Sequence, residues 1–170
     1  DLTALFIALN NPNQCNYFID QPMKFLGSTT KYPDIVIQKT DGVIDHLIDV
    51  KTDLGWNRNG IYAFCDKWEK AIAAVKGKET SFKRGLDKKI VNGVFSENLK
   101  YHVLVITRRN SGKQIDKDHS RVMKELKNVY LYVLSGGLHP NEYGLTADEK
   151  LESIQIENSE IERFLRSIIH

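Results

Sequence analysis

The chain has 170 residues, 41% of them apolar and 27% charged, with a formal net charge of +2 at pH 7. That length and balance suit one globular domain with a single sizeable core, and no stretch approaches the roughly 18 consecutive apolar residues of a membrane span. So small a net charge excludes a generic polycation, so any hold on nucleic acid must come from local patches.

A first helix is predicted over residues 1–10, with Leu2, Leu5, Phe6 and Leu9 on one face. Asn11-Pro12-Asn13 ends it, because proline has no amide donor and its predecessor avoids helical angles. The chain opens on Asp1 rather than Met and is already helical in pattern there, which leaves room for a segment upstream; no secretory signal is read at its start. A short strand is predicted near 16–20. Two β-rich runs follow, Asp34–Lys39 and Val43–Thr52, around Thr40-Asp41-Gly42, the strongest hairpin signal in the chain. Ile61, Phe64, Trp68, Ala71, Ile72 and Val75 recur at helical spacing and predict a helix from Ile61 to Lys76, with Trp68 in the core. His102–Thr107 is nearly all apolar, as in a strand buried on both faces. A helix over Asp118–Lys127, a strand over Val129–Leu134 and a terminal helix over Asn158–Ile169 complete the plan. No internal repeat or linker divides the chain. The expected fold class is α/β, one domain over residues 1–170 with a central mixed β-sheet and helices on both faces, antiparallel at the hairpin and parallel later.

The second hairpin strand carries the chemistry. Side chains alternate along a strand, so Asp45, Leu47, Asp49, Lys51 and Asp53 share one face. Ile44, His46, Ile48 and Val50 share the other, which is expected to face the core. Asp and Lys are poor strand formers, and a charge at a half-buried position is costly unless paired or bound to metal. The hairpin folds Asp34, which follows Pro33, back toward Asp49, in a register that sequence does not fix. Two carboxylates and an ammonium would then converge. Hard oxygen ligands of that kind suit Mg²⁺, and phosphodiester hydrolysis is the reaction that wants them: a metal activates water and steadies the leaving oxygen, and a lysine steadies the charge on phosphate.

Pro33-Asp34 followed on a hairpin by Asp49-Val50-Lys51 resembles the PD-(D/E)xK nuclease superfamily, the restriction endonuclease-like group that also includes junction resolvases and repair nucleases. Its core of a helix, a three-stranded meander, a crossover helix and a fourth strand matches residues 1–107 as read above. The resemblance implies Asp34 and Asp49 as metal ligands, the Val50 carbonyl as a further one, Lys51 as the catalytic lysine, and Mg²⁺ as cofactor with Mn²⁺ as substitute. It further implies an endodeoxyribonuclease acting on double-stranded DNA, of restriction type, with resolvase, repair nuclease or inactive DNA-binding module as alternatives. A homodimer would match the symmetry of the duplex. Many members place an acid on the first helix, where this chain offers only Asp1. The same letters also fit a plain hairpin in which Asp34 caps a turn and Asp49–Lys51 is a surface ion pair worth about 0–1 kcal/mol.

Basic flanks complete the expectation. Lys83 and Arg84, within the segment Lys76–Lys89, and Arg108, Arg109 and Lys113 are candidates for DNA phosphates; both segments also read as solvated loops. Asn57 and Arg58, in the loop after the DxK strand, are further candidates. Asp53 could hold a second metal but reads better as a solvated strand end, Asp45 as surface, and His46 as a hydrogen-bonded core histidine. Glu69 and Lys70 could approach the site from the following helix. The five histidines share no element at metal-ligand spacing, and neither do Cys15 and Cys65, so zinc is not expected and a reduced, cytoplasmic protein is.

Overall fold

Gly42 closes the central hairpin in the left-handed conformation (φ 91°). Its N–H donates to the Lys39 carbonyl at 3.0 Å, and the Val43 N–H donates to Asp41 Oδ1 at 3.0 Å. Around that turn, the computed structural model describes residues 2–25, 29–55, 60–85, 87–136 and 146–169. In chain order the elements are α1 (Leu2–Asn10), β1 (Cys15–Ile19), β2 (Met23–Lys24), β3 (Thr30–Lys31), β4 (Ile35–Lys39), β5 (Val43–Lys51), α2 (Ile61–Val75), β6 (Glu79–Lys83), β7 (Ile90–Val105), α3 (Ile115–Glu125), β8 (Val129–Val133), β9 (Ser135–Gly136), α4 (Ala147–Ser153), β10 (Gln155–Ile156) and α5 (Asn158–Ile169).

The main sheet runs β1-β4-β5-β7, with β6 and β8 each pairing a different half of β7. β1–β4, β4–β5 and β6–β7 are antiparallel, while β5–β7 and β7–β8 are parallel. This is the α/β mixed sheet expected from the sequence, with helices on both faces.

Both faces of β5 are covered, so the face of Asp49 carries a core as well as the face of Ile48, which was expected to. Ile48 packs with Ile35, Ile37, Leu104, Tyr132, Phe164 and Ile168 on the side of α1 and α5. Leu47 packs with Cys65, Trp68, Ile72, Tyr101 and Val122 on the side of α2 and α3, and Asp49 sits on that second face. Ile44 joins the second core as well, against simple alternation. The register breaks at Asp45, which faces Ser96, Glu97, Asn98 and Leu99 of β7, so the residues before the irregularity change sides. Trp68 is core as predicted; it lies flat on Tyr101 with ring centroids 3.9 Å apart, worth about 0.5–1.5 kcal/mol beyond its burial.

Two further expectations change. Leu2, Leu5, Phe6 and Leu9 are the exposed side of α1, and Ala4 and Ile7 are what it buries. The segment Lys76–Lys89 is no plain loop: β6 and the first half of β7 form a second hairpin, which folds back over the sheet. The Phe82 ring meets Phe18 of β1 edge-on at 5.0 Å, and Thr80 Oγ1 donates to the Lys24 carbonyl at 3.0 Å. Gly93 sits where this hairpin crosses the turn of the first. A Cβ there would lie 3.0 Å from the Gly42 carbonyl oxygen, 2.8 Å from Gln38 Nε2 and 2.9 Å from Ile44 Cδ1. Gly93→Ala is therefore expected to lower unfolding free energy by about 1–3 kcal/mol in a urea titration. A loss-free variant would mean the crossing is looser than these contacts require.

Candidate active site

The last antiparallel pair of the β4–β5 ladder is Ile35↔Ile48. One step beyond it, Asp34 precedes β4 and Asp49 continues β5, so the two carboxylates leave the sheet at the same corner. Lys51 hands its carbonyl to the Ile106 N–H toward β7 (2.8 Å), so the neighbouring Val50 amide points the other way, past the start of β4. Asp34 Oδ2 accepts that Val50 N–H at 2.5 Å. A side-chain carboxylate thus replaces the ladder partner that β4 no longer supplies.

Asp49 is 7% exposed, and its Oδ2 is buried without a hydrogen bond among the described residues. Lys51 Nζ lies 2.5 Å from that oxygen but outside hydrogen-bond angles, so the contact is an ion pair only. The ammonium also stands 5.2 Å from the centre of the Phe64 ring of α2. Burial pushes the Asp34 carboxyl above the usual carboxylate range; the Val50 N–H pulls it back, and the charge of Asp49 pushes it up further. A cation at this corner would relieve both effects. Two adjacent carboxylates, one of them buried and ion-paired to Lys51, fit a Mg²⁺ that keeps water or phosphate for its other positions. Among the described residues no three His, Cys, Asp or Glu side chains are grouped for a metal, so the protein's side-chain share would be these two.

The corner lies at the carboxyl ends of the parallel strands β5 and β7, a common place for ligands in α/β sheets. The loop after β7 leaves beside it. The Thr107 N–H donates to the Thr52 carbonyl at 3.1 Å, and Asn110 Nδ2 donates to Asp53 Oδ2 at 2.7 Å. Arg108, Arg109 and Lys113 are thereby brought to the β7 side of the corner, although the Arg108 guanidinium is engaged by Asp116 at 2.7 Å. Lys83 and Arg84 lie on the opposite flank. Asn57 and Arg58 fall outside the described residues, as does Asp1, and α1 carries no acid.

Several secondary candidates have structural posts. Asp53 Oδ1 accepts the Gly55 N–H at 2.8 Å while its other oxygen takes Asn110. Asp45 pairs with Lys39 at 2.5 Å. Glu69 turns away from the corner and takes the N–H groups of Asn128 and Val129 at the start of β8, and Lys70 pairs with Asp66. His46 is a hydrogen-bonded core histidine, as expected. Cys65 is buried and its thiol is pushed up to about 12, so it is an inert core residue.

Three residues at this corner have no sequence signal. Asp20 ends β1 at φ 52°, and its N–H donates to the Asp34 carbonyl at 3.0 Å. Gln21, next in the chain, reaches across to Gly85. Tyr101 is fully buried, its hydroxyl has no hydrogen bond among the described residues, and the charges of Asp49 and Asp34 add to burial in holding its phenol well above the ordinary value. Only pairing shows these neighbours; the β1–β4 and β5–β7 registers bring them to the DxK strand.

Compared with family models, curated proteins and solved structures, the chain matches none.

Proposed function

We propose that this protein is a metal-dependent nuclease that hydrolyses DNA phosphodiester bonds at the Asp34–Asp49–Lys51 corner. The observation that carries this reading is the Asp34 carboxylate held on the Val50 amide, beside a buried Asp49 oxygen that has no hydrogen bond among the described residues and an ion pair to Lys51. Asp34, Asp49 and the Val50 carbonyl would hold Mg²⁺, or Mn²⁺ in its place, and a bound metal would supply an acidified water and charge neutralisation at the phosphate. Asp34 and Asp49 would hold that metal from neighbouring strand ends, one step beyond the Ile35↔Ile48 pair. Lys51, 28% exposed, has one side toward Asp49 and one toward solvent, where it can offer its ammonium to a phosphate oxygen. A corner open at a sheet end, flanked by cations on two sides, suits a polymer better than a small molecule. A restriction-type enzyme cutting both strands as a homodimer in the cytoplasm is the setting this reading favours.

A second reading, a DNA-binding module of the same fold without turnover, is favoured by one observation: among the described residues no three His, Cys, Asp or Glu side chains are grouped for a metal, and Asp34 already accepts a backbone amide. Incubating supercoiled plasmid with the protein decides between them. Wild type with Mg²⁺ is expected to nick and linearise it, and EDTA or Asp49→Ala to stop this. An intact plasmid with Mg²⁺ and with Mn²⁺ would leave the binding module.

A further inference from the structure

The second hairpin has no place in the minimal helix–meander–helix–strand core; β6 and the first half of β7 are inserted between the crossover helix α2 and the part of β7 that pairs with β8. Its turn, described at residues 84, 85 and 87–89, is anchored at several points. Gln21 Oε1 accepts the Gly85 N–H at 3.1 Å, and Arg84 Nε donates to Asp87 Oδ1 at 2.7 Å. The Arg84 N–H donates to the Lys89 carbonyl at 2.8 Å, and Lys88 takes the left-handed conformation (φ 60°) that closes the loop. Below it, Phe82 against Phe18 fixes the hairpin's underside. Gln21 follows Asp20, whose backbone is bonded to Asp34. One unbroken set of contacts therefore runs from the hairpin tip to the carboxylate corner.

The basic segment Lys76–Lys89 holds two kinds of cation besides the exposed Lys78, which precedes β6. Lys76 is spent on Asn128 Oδ1 at 2.5 Å and Arg84 on Asp87, so these hold the fold. Lys83, Lys88 and Lys89 are exposed; Lys89 has only a 3.9 Å approach to Asp87, and Lys83 and Lys88 have no ion-pair partner among the described residues. Three solvent-facing ammonium groups on a braced turn repel one another and are left without a structural task.

We infer that Lys83, Lys88 and Lys89, on the second hairpin, form a phosphate-binding arm that holds the backbone of double-stranded DNA beside the Asp34–Asp49 corner, with Gln21 as the residue that positions the arm. Ammonium groups bind phosphate without reading sequence, so the arm contributes affinity and placement rather than specificity. The 107–113 loop flanks the corner from the β7 side, so the duplex lies across the sheet end between the two. The inference rests on the nuclease reading for its purpose but not for its measurement.

Binding of a fluorescent 30-base-pair duplex, followed by anisotropy in EDTA at several salt concentrations, tests it apart from cleavage. K83Q/K88Q/K89Q is expected to bind about tenfold more weakly near 0.1 M salt, with a log K against log salt slope shallower by about 2–3. A K124Q/K127Q control is expected to match wild type. Gln21→Ala, which keeps every lysine, is expected to raise the KM for plasmid with kcat nearly unchanged. If wild type cuts plasmid while the triple variant binds with unchanged affinity and slope, the arm is overturned and the nuclease reading stands. If wild type cuts nothing but the triple variant loses binding, the arm stands as a DNA-holding element and the nuclease reading falls. A wild type that binds no duplex overturns both.

Discussion

Lys51→Ala is expected to cost the metal-free protein about 3 kcal/mol or more of stability and to slow plasmid cleavage at least about 10²–10³-fold, whereas Asp49→Ala stops cleavage with a much smaller loss of stability. The asymmetry follows from burial. Asp49 is 7% exposed, and among the described residues its Oδ2 has no hydrogen bond and has the Lys51 ammonium at 2.5 Å as counter-charge. Removing the lysine strands a carboxylate in a low-dielectric core. Removing the aspartate strands nothing, because the Lys51 side chain is 28% exposed and can turn its ammonium to water. Mg²⁺ should then do in Lys51→Ala part of what the ammonium did. Thermal unfolding in EDTA and in excess Mg²⁺ would show the largest metal-induced rise for that variant, since a ligand at about 100 times its Kd stabilises by about 2.7 kcal/mol. A Lys51→Ala protein as stable as wild type in EDTA, and no more responsive to Mg²⁺, would show that the pair is the ordinary surface contact its residue types equally allow.

The hairpin and its motif were legible because each rests on local rules. Asp41-Gly42 sets the turn, the two β-rich runs set the strands, and together they place Asp34 at Asp49 with one register left open. Pairing settles that register at Ile35↔Ile48. How deeply Asp49 is buried is not legible, because alternation along one strand cannot say how many layers cover each face. Leu47, an apolar residue on the face of Asp49, is the local sign of the second core that α2 and α3 cover there. β6 and the first half of β7 were illegible for a related reason: Glu79–Lys83 has little apolar alternation, and it is a strand because Phe82 finds Phe18 and its backbone finds β7. Tertiary contact there overrides weak local preference. Asp20 and Gln21 belong to the same class, since neither has chemistry in its spacing and both gain it from what β1 and the second hairpin bring near.

Acid should unfold this protein well above the pH at which its carboxylates protonate, and the cause lies on the sheet face away from the candidate site. Ser167 Oγ donates to the Phe164 carbonyl at 2.6 Å, so its contact with the Tyr132 hydroxyl at 2.9 Å must be donated by tyrosine. Tyr132 then accepts from His102 Nδ1 at 3.2 Å, which leaves His102 Nε2 bare to accept from His46 Nδ1 at 3.0 Å. The chain of bonds runs one way: it needs His102 neutral with its proton on Nδ1, and His46 with a proton on Nδ1. A proton on His102 would set two N–H groups against each other. Burial first, then the charges of His46, Lys100 and Arg163, disfavour the charge on His102; burial, with Lys100 and Lys39 against Asp45, holds His46 at about 4. In the unfolded chain a histidine titrates near 6.5. Between those values the unfolded state binds more protons, so the contribution is complete above pH 6.5 and is lost as pH falls toward 4. For His46 that is on the order of 3 kcal/mol, and His102 adds to it in the same direction. Glu160, held at about 2 chiefly by His119 and Arg163 against its own burial, acts in the same sense but only below about 4.5, so the two windows separate. Urea denaturation at pH 7, 6, 5 and 4.5 should therefore show a steep fall that H46Q/H102Q flattens, at the cost of a lower value at pH 7. A wild type equally stable at pH 7 and 5 would mean that these rings already carry, or easily accept, the proton the geometry denies them.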